Sequence, residues 1–100
     1  MEHFVDVAEI PDIPAGTGLV VETAAIRVAL FHVDGSVFAT DVACIRCGGE
    51  IATGTLVGRD VECPRCGWSY DVVTGSTRGV PKLRLDTFVV RVAGTDRLPD

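Results

Sequence analysis

Four cysteines in two short, nearly identical strings constrain this chain more than any other feature of its sequence. The first string, CIRCGG, begins at Cys44, and the second, CPRCGW, begins at Cys63. Each string holds two cysteines separated by two residues, and the fifteen residues 48–62 separate the two pairs. This spacing is a strong signature of a metal site, because two cysteines three apart on a tight turn direct both sulfurs at one ion. A second such turn completes a tetrahedron of ligands.

A glycine follows the second cysteine of each string, at Gly48 and Gly67. A residue without Cβ can adopt positive φ at this position and turn backbone N–H groups toward the sulfurs. Such donors spread the thiolate charge and set the redox potential of a metal centre. We therefore predict one metal centre, whose ligands are Cys44, Cys47, Cys63 and Cys66.

Two other uses of the cysteines are less favoured. The beginning of the sequence, MEHFVDVAEIPDIP, lacks the basic and apolar segments of a secretory signal, and no stretch approaches the roughly 18 apolar residues of a membrane span. We therefore expect a soluble cytoplasmic protein, and structural disulfides are rare in the cytoplasm. A thioredoxin-like dithiol would need a βαβ context with a helix after the cysteine pair, and the sequence predicts neither.

The overall charge bears on the class of partner. The formal net charge is -5 and the sequence pI is about 4.8. Nucleic acid needs a basic footprint, so a nucleic-acid-binding zinc ribbon is not expected. An acidic chain suits a basic protein partner better.

Short β-rich runs predict an all-β fold, a small sandwich or barrel in a single domain over residues 1–100. The runs LVVET (19–23) and IRVALFHV (26–33) are predicted strands. A hairpin is predicted at Asp34-Gly35, and a second one around residues 58–60. The run KLRLDTFVVRVAG (82–94) is predicted to form the last two strands, with a turn near Asp86. The cysteine strings interrupt this pattern and predict metal-binding loops at about 43–52 and 62–81.

With these motifs the chain resembles the Rieske-type ferredoxins of bacterial aromatic-ring oxygenase systems. The resemblance runs from about Phe4 to Gly94 and includes VALFHVDGSVFATD, GTLVGRDVECP, GWSYDVVTG and the covering-loop string GVPKLRL. It implies antiparallel sheets with a metal-binding subdomain of two facing loops at one tip. It also implies a one-electron carrier, not an enzyme, that accepts electrons from a flavin-dependent reductase and delivers them to a terminal oxygenase or a similar redox protein.

The sequence departs from this family at both histidine ligands. Arg46 stands at the first histidine position and Cys66 at the second. A charged guanidinium does not ligate a metal, so Cys47 is predicted to replace the first histidine. His3 and His32 lie far from the cysteine strings along the chain and are not predicted ligands.

The identity of the metal stays open between alternatives. The cysteine spacing favours a single ion, either iron as in rubredoxins or zinc as in zinc ribbons. The resemblance favours a [2Fe–2S] cluster with Cys44 and Cys63 on one iron and Cys47 and Cys66 on the other. With zinc, the chain would be a redox-inert Rieske-like domain acting as a subunit or interaction module.

Several neighbours of the cysteines also carry expectations from the resemblance. Tyr70 stands where high-potential Rieske proteins have a tyrosine whose hydroxyl bonds a ligand sulfur. Trp68 replaces their cluster-bonding serine and is expected to pack in the core. Gly49 and Arg65 stand where some members have an extra cysteine pair. The guanidinium groups of Arg46 and Arg65 either offset thiolate charge or are solvated loop residues.

Overall fold

The computed structural model describes residues 3–7, 12–23, 26–80 and 82–92. Within these ranges the chain forms eight strands and one 3-10 turn, and no described helix is long and apolar enough to cross a membrane. In chain order the elements are β1 (His3–Val7), β2 (Gly18–Glu22), β3 (Arg27–Val33), β4 (Ser36–Thr40), the 3-10 turn (Ile51–Thr53), β5 (Thr55–Val57), β6 (Asp60–Glu62), β7 (Ser69–Asp71) and β8 (Thr87–Val92).

Two sheets account for these strands. The larger sheet has five strands in the order β1-β8-β4-β3-β2, and the smaller has three in the order β5-β6-β7. All neighbouring strands are antiparallel except β1 and β8, which run parallel. The all-β prediction is confirmed, and the predicted strands at 19–23 and 26–33 correspond to β2 and β3.

The inner strand β3 contributes to both clusters of the core because its side chains alternate between the two faces of the sheet. Val28 and Leu30 pack on one face. Ala29 and Phe31 pack on the other, against the small sheet. This second cluster also contains two of the four cysteines, Cys44 and Cys63, together with Leu56, Val61 and Tyr70. The cysteine loops are therefore attached directly to the core between the sheets.

The predicted Asp34-Gly35 hairpin is confirmed as the connection between β3 and β4. Both residues have positive φ, 51° for Asp34 and 82° for Gly35, as the tightest two-residue turns require. Val33 and Ser36 form the closing pair. The second predicted hairpin joins β5 and β6, and its turn is shorter than the predicted three residues because Asp60 already pairs with Val57.

The prediction of two strands in residues 82–94 is wrong, because only β8 forms a strand there. In the preceding residues the backbone bonds to a neighbouring loop: the Thr77 N–H donates to the Leu83 carbonyl, and the Leu85 N–H donates to the Gly75 carbonyl. Arg84 makes only an isolated bridge with Ser76. The alternating side chains predicted a strand. However, the backbone that these residues meet, around Gly75 and Thr77, forms a short turn, and a short turn cannot continue a ladder of hydrogen bonds. Residues 93 and 94 lie outside the described residues.

Candidate metal centre

Both cysteine strings fold into the same local structure, which we call hook 1 (residues 44–49) and hook 2 (residues 63–68). In hook 1 the Cys44 N–H donates to the Gly49 carbonyl at 2.8 Å, and the Gly48 N–H donates to the Cys44 carbonyl at 2.9 Å. Hook 2 repeats these bonds, from Cys63 to Trp68 at 2.7 Å and from Gly67 to Cys63 at 2.9 Å. The repeated sequence pattern therefore gives two equivalent turns.

The glycine after each pair takes the predicted backbone conformation, with φ of 77° at Gly48 and 83° at Gly67. Their amides do not bond the sulfurs, however, because they donate to the carbonyls of Cys44 and Cys63. In hook 1 the sulfur bond comes from the next residue, where the Gly49 N–H donates to Cys47 Sγ at 3.4 Å. The positive φ closes the turn and brings that following amide to the sulfur.

The structure brings all four predicted ligands together, with every pair of sulfur atoms within 4.8 Å. The Sγ atoms of Cys44 and Cys66 are 3.6 Å apart, and those of Cys47 and Cys63 are 3.5 Å apart. A tetrahedral ion with metal–sulfur bonds of about 2.3 Å holds its sulfurs about 3.8 Å apart. The four sulfurs, which we call the cage, are therefore close enough to hold one metal ion.

The cage lies at the boundary between core and solvent. Cys44 and Cys63 are buried, with exposed fractions of 3% and 1%, whereas Cys47 and Cys66 are half-buried. The first cysteine of each hook thus anchors the cage in the core, and the second places it near the surface. The core therefore covers the cage at Cys44 and Cys63, and the cage reaches solvent at Cys47 and Cys66.

Tyr70 connects the small sheet to the cage. Its side chain is fully buried, and its hydroxyl lies 3.0 Å from Cys44 Sγ. The Ile45 N–H donates to the same hydroxyl at 3.0 Å, so the hydroxyl proton is directed to the sulfur. The role expected for Tyr70 from the resemblance is confirmed. Burial, followed by the bond to Cys44, raises the pKa of Tyr70 above its usual range, so the hydroxyl stays a donor.

The thiols of hook 1 have opposed acidities. Burial would raise the pKa of Cys44, but hydrogen bonds from Tyr70 and from the Cys47 and Arg46 amides lower it to about 6. The Gly49 amide lowers the pKa of Cys47, but burial and the neighbouring Cys63 and Cys66 sulfurs outweigh this bond and raise it to about 11. Four thiols this close do not all ionise without a compensating cation. The donor set therefore fits a thiophilic metal ion, which binds thiolates and releases their protons.

Two arginines join the hooks to each other. The guanidinium carbon of Arg46 in hook 1 lies 5.6 Å from the ring centroid of Trp68 in hook 2, within cation–π range. The stem of Arg65 in hook 2 crosses Gly49 in hook 1, where an added Cβ would lie 2.5 Å from Arg65 Cδ. Trp68 is half-buried against the core, and it lies before β7, not in the same strand as Tyr70. Sequence reasoning missed these contacts, for which the equivalent positions of the two arginines were the only signal.

A buried carboxylate that sequence reasoning also missed secures the segment after hook 2. Arg59 Nε donates to Asp71 Oδ2 at 2.9 Å, and the Val73 N–H donates to Asp71 Oδ1 at 2.8 Å. Arg78 pairs with Asp60 and Asp71. Burial would raise the pKa of Asp71, but the Arg59 side chain and the Val73 and Thr74 amides hold it below its usual value. The aspartate just before a turn in SYDVVTG was the signal available in the sequence.

His32 does not join the cysteines in the part of the chain that the structure describes. His32 is exposed on β3 opposite Val37, near the hairpin at the end of β4 remote from hook 1. His3 begins the edge strand β1. The cage is therefore composed of sulfur alone.

Comparisons with known proteins agree with this fold. The model of the family described as Rieske [2Fe-2S] domain matches residues 3–89. Among solved structures, the chain is similar to the Sphingomonas yanoikuyae B1 ferredoxin, at 28% identity over 82% of each chain with a TM-score of 0.72. It is also similar to a chain in a complex of reduced oxygenase and oxidized ferredoxin in carbazole 1,9a-dioxygenase, at 27% identity over 83% of this chain and 87% of that one, with a TM-score of 0.70.

A third similar structure has a different description. It is a Mycobacterium tuberculosis protein described as an NADH-dependent nitrite reductase small subunit, at 25% identity over 82% of this chain and 79% of that one, with a TM-score of 0.71. No curated protein matches the sequence.

Proposed function

The chain belongs to the Rieske [2Fe-2S] domain family, and from this membership we propose that it is a small one-electron carrier with an all-cysteine metal centre. The observation that carries the proposal is the cage itself, built on a Rieske-type ferredoxin fold and half-open to the surface. The proposed ligands are Cys44, Cys47, Cys63 and Cys66.

The spacing of the sulfurs favours a single ion over the cluster after which the family is described. Arg46 and Cys66 replace both histidines, and two irons joined by bridging sulfides would separate the thiolates of different irons. With Cys44 and Cys63 on one iron, Cys44 and Cys66 would belong to different irons, yet their sulfurs are only 3.6 Å apart. Any other pairing would also separate some of the sulfurs, whereas all four lie within 4.8 Å of one another. The cage therefore fits a single iron or zinc ion. A bound iron would supply a one-electron couple, which zinc lacks.

The chain's own residues position the centre for exchange with another protein. Tyr70 and the hook 1 amides direct their hydrogen bonds to the Cys44 and Cys47 sulfurs, which stabilises the thiolate form. Cys47 and Cys66 bring the centre to the surface. The proposed partners are a flavin-dependent reductase and a terminal oxygenase or a similar redox protein. The similarity to a chain from an oxygenase and ferredoxin complex supports the oxygenase.

A second function has its own support. In it the chain is a redox-inert subunit or interaction module with structural zinc, since four thiolates leave no open coordination position for catalysis. The similarity to a protein described as a nitrite reductase small subunit, at a TM-score of 0.71, favours this alternative.

Two measurements on protein purified under iron-sufficient conditions test the two functions directly. They are an analysis of metal and acid-labile sulfide content and a visible absorption spectrum. The carrier function predicts one iron per chain, no labile sulfide and visible absorption that bleaches on reduction. A colourless protein with one zinc supports the subunit instead, because d10 zinc does not absorb visible light. Two irons with two sulfides would contradict the single-ion site.

Two substitutions separate the proposed ligand set from the family's own. Cys47→Ser should abolish stable metal binding, because only three thiolates remain. Arg46→His restores the family's residue but leaves all four thiolates in place, so its metal content and spectrum should match those of the parent. A Cys47→Ser protein that kept its metal and spectrum would contradict the assignment of Cys47.

A further inference from the structure

Charge is distributed very unevenly in this acidic chain. Residues 44–85, which include both hooks, hold six basic and four acidic residues, a net charge of +2. The rest of the chain holds three basic and ten acidic residues, a net charge of -7. The negative charge that dominates the composition therefore lies outside the part of the chain that builds the cage.

Ion pairs determine which of the charges in residues 44–85 remain unpaired. Arg59 and Arg78 are paired with Asp71 and Asp60. Glu50 is paired with Arg27, which also pairs with Glu22. Four basic side chains from residues 44–85 have no ion-pair partner among the described residues, and all four are exposed: Arg46, Arg65, Lys82 and Arg84. Glu62 is the one acidic residue of this range that is left unpaired in the described part of the chain.

The fold places two of these cations in the hooks and the other two on a segment that passes hook 2. Arg46 and Arg65 belong to the two hooks. The segment 76–84 turns back along β7, since the Arg78 N–H donates to the Ser69 carbonyl at 2.9 Å. Gly79 and Val80 of this segment line a groove with Gly67 and Trp68 of hook 2. Gly79 and Val80 thus lie beside hook 2. Lys82 follows them along the chain, and Arg84 lies farther from the hook, where it bridges Ser76.

Exposed apolar side chains are interspersed with the cations. Ile45 in hook 1 is 42% exposed, and Val80 and Leu83 on the segment are 39% and 40% exposed. Apolar groups ringed by charged ones are the usual composition of a protein interface. We call this set the docking surface: Arg46, Arg65, Lys82, Arg84, Ile45, Val80 and Leu83.

The docking surface carries more positive charge than is required to balance the negative charge of the proposed metal centre. Four thiolates around a divalent ion carry a net charge of about -2, which the guanidinium groups of the two hooks match. Lys82 and Arg84 lie outside the hooks and remain as surplus positive charge even beside Glu62. Opposite charges across an interface accelerate association and select the partner.

We infer that the docking surface binds an acidic surface of a partner protein. The net charge of the chain predicted a basic partner, and this inference replaces that prediction with an acidic one. An interface responds to the local electrostatic potential, because salt screens exposed charges that lie more than about 10 Å away. That the partner is a redox protein rests on the function proposed above. The sign of its charge follows from the docking surface alone.

A titration of zinc-loaded, 15N-labelled protein with an acidic peptide of alternating Glu and Leu, followed by NMR, tests the inference. Shift changes should concentrate at residues 45–46, 65–68 and 78–84 and should shrink as salt is added. Lys82→Gln combined with Arg84→Gln should weaken binding about five-fold, if each lost charge contributes about 0.5 kcal/mol. A peptide of alternating Lys and Leu should not bind these residues.

The matched control makes the same change in net charge at the far ends of two hairpins. Ser36→Glu combined with Val57→Glu alters exposed residues beside the turns remote from the hooks and should leave peptide affinity within about two-fold of the parent, since the added charges are screened there. Three results would each overturn the inference. The variant at Lys82 and Arg84 could bind the acidic peptide as tightly as the parent does, the control could lose as much affinity as that variant, or the lysine peptide could bind as tightly as the acidic one. Because zinc transfers no electrons, these outcomes do not depend on the carrier function, which metal analysis decides separately.

Discussion

At the scale of single residues, the hydroxyl of Tyr70 connects the core of the protein to the cage. Tyr70 is fully buried, and its hydroxyl both accepts from Ile45 N–H and lies 3.0 Å from Cys44 Sγ. It therefore orders the backbone of hook 1 while withdrawing charge from one sulfur. Such a bond favours the more negative, reduced state of a metal centre.

Tyr70→Phe should retain the packing of the ring and remove only these bonds. We expect stability to fall by about 1–3 kcal/mol, because the Ile45 amide loses its acceptor. In iron-loaded protein the midpoint potential should also fall, since the Cys44 sulfur loses a donor. Denaturant unfolding and voltammetry measure the two effects. Ser69→Ala, which changes an adjacent half-buried side chain with no sulfur contact, is the control, and an equal potential shift in it would contradict the role of the hydroxyl.

At the scale of elements, each hook depends on a glycine that closes its turn. Gly67 has φ of 83°, which L-residues with a side chain rarely adopt. A Cβ there would meet only Glu62 Oε2, at an ordinary 3.7 Å. Backbone conformation, not crowding, is therefore what requires glycine at this position.

Gly67→Ala should destabilise the metal-loaded protein by about 1–2 kcal/mol, the cost of a left-handed conformation for a residue with Cβ. Gly79→Ala is the matched control beside the same groove, where φ is not left-handed and an added Cβ meets nothing within 4 Å. The control should stay within about 0.5 kcal/mol of the parent. Thermal unfolding of both variants measures this, and equal losses would show that the positive φ is not the cause.

The segment after hook 2 depends on the ionised form of Asp71. Because the folded protein lowers its pKa, this carboxylate stabilises the fold above its unfolded pKa of about 3.9 and loses that contribution as pH falls through the lower folded value. Asp71→Asn should be less stable than the parent at pH 7, and the difference should shrink below about pH 4. Urea unfolding across this pH range measures it. A difference that stays constant with pH would indicate a steric effect instead.

At the scale of the whole molecule, the cage is part of the core between the sheets. Cys44 and Cys63 pack in the same cluster as Phe31 from the large sheet and Val61 from the small one. The two hooks come from different parts of the fold, since hook 1 follows β4 and hook 2 joins β6 to β7, and the cage lies where they meet. A metal bound at the cage would therefore contribute to the free energy of folding.

Removal of the metal by a chelator should destabilise the entire fold. A loss of at least about 3 kcal/mol would lower Tm by about 12–24 °C in a domain of this size. Hydrogen exchange should accelerate first at the Cys44 and Cys63 amides, whose bonds close the hooks. Re-addition of zinc should restore both Tm and protection. An unchanged Tm after complete removal would contradict a structural role for the centre.

The sequence by itself determined the features that depend on local geometry. The spacing of the cysteines identified the four sulfurs that the structure gathers within 4.8 Å. Alternating apolar residues indicated β2 and β3, and Asp34-Gly35 indicated the turn, because both follow from backbone preferences over a few residues. The resemblance to a known family added the role of Tyr70, which no local pattern contains.

Only the tertiary structure decided what depends on contacts between distant parts of the chain. Cys44 and Tyr70 are 26 residues apart, and Arg59 and Asp71 are 12 apart, so their pairing follows from strand register and not from local preference. The segment ending at Leu85 alternates like a strand, yet it meets a turn and forms no ladder. Net charge is likewise a sum over the chain, whereas a partner meets only the charges that folding gathers on one surface, and here folding places Arg46 and Arg65 in the two hooks.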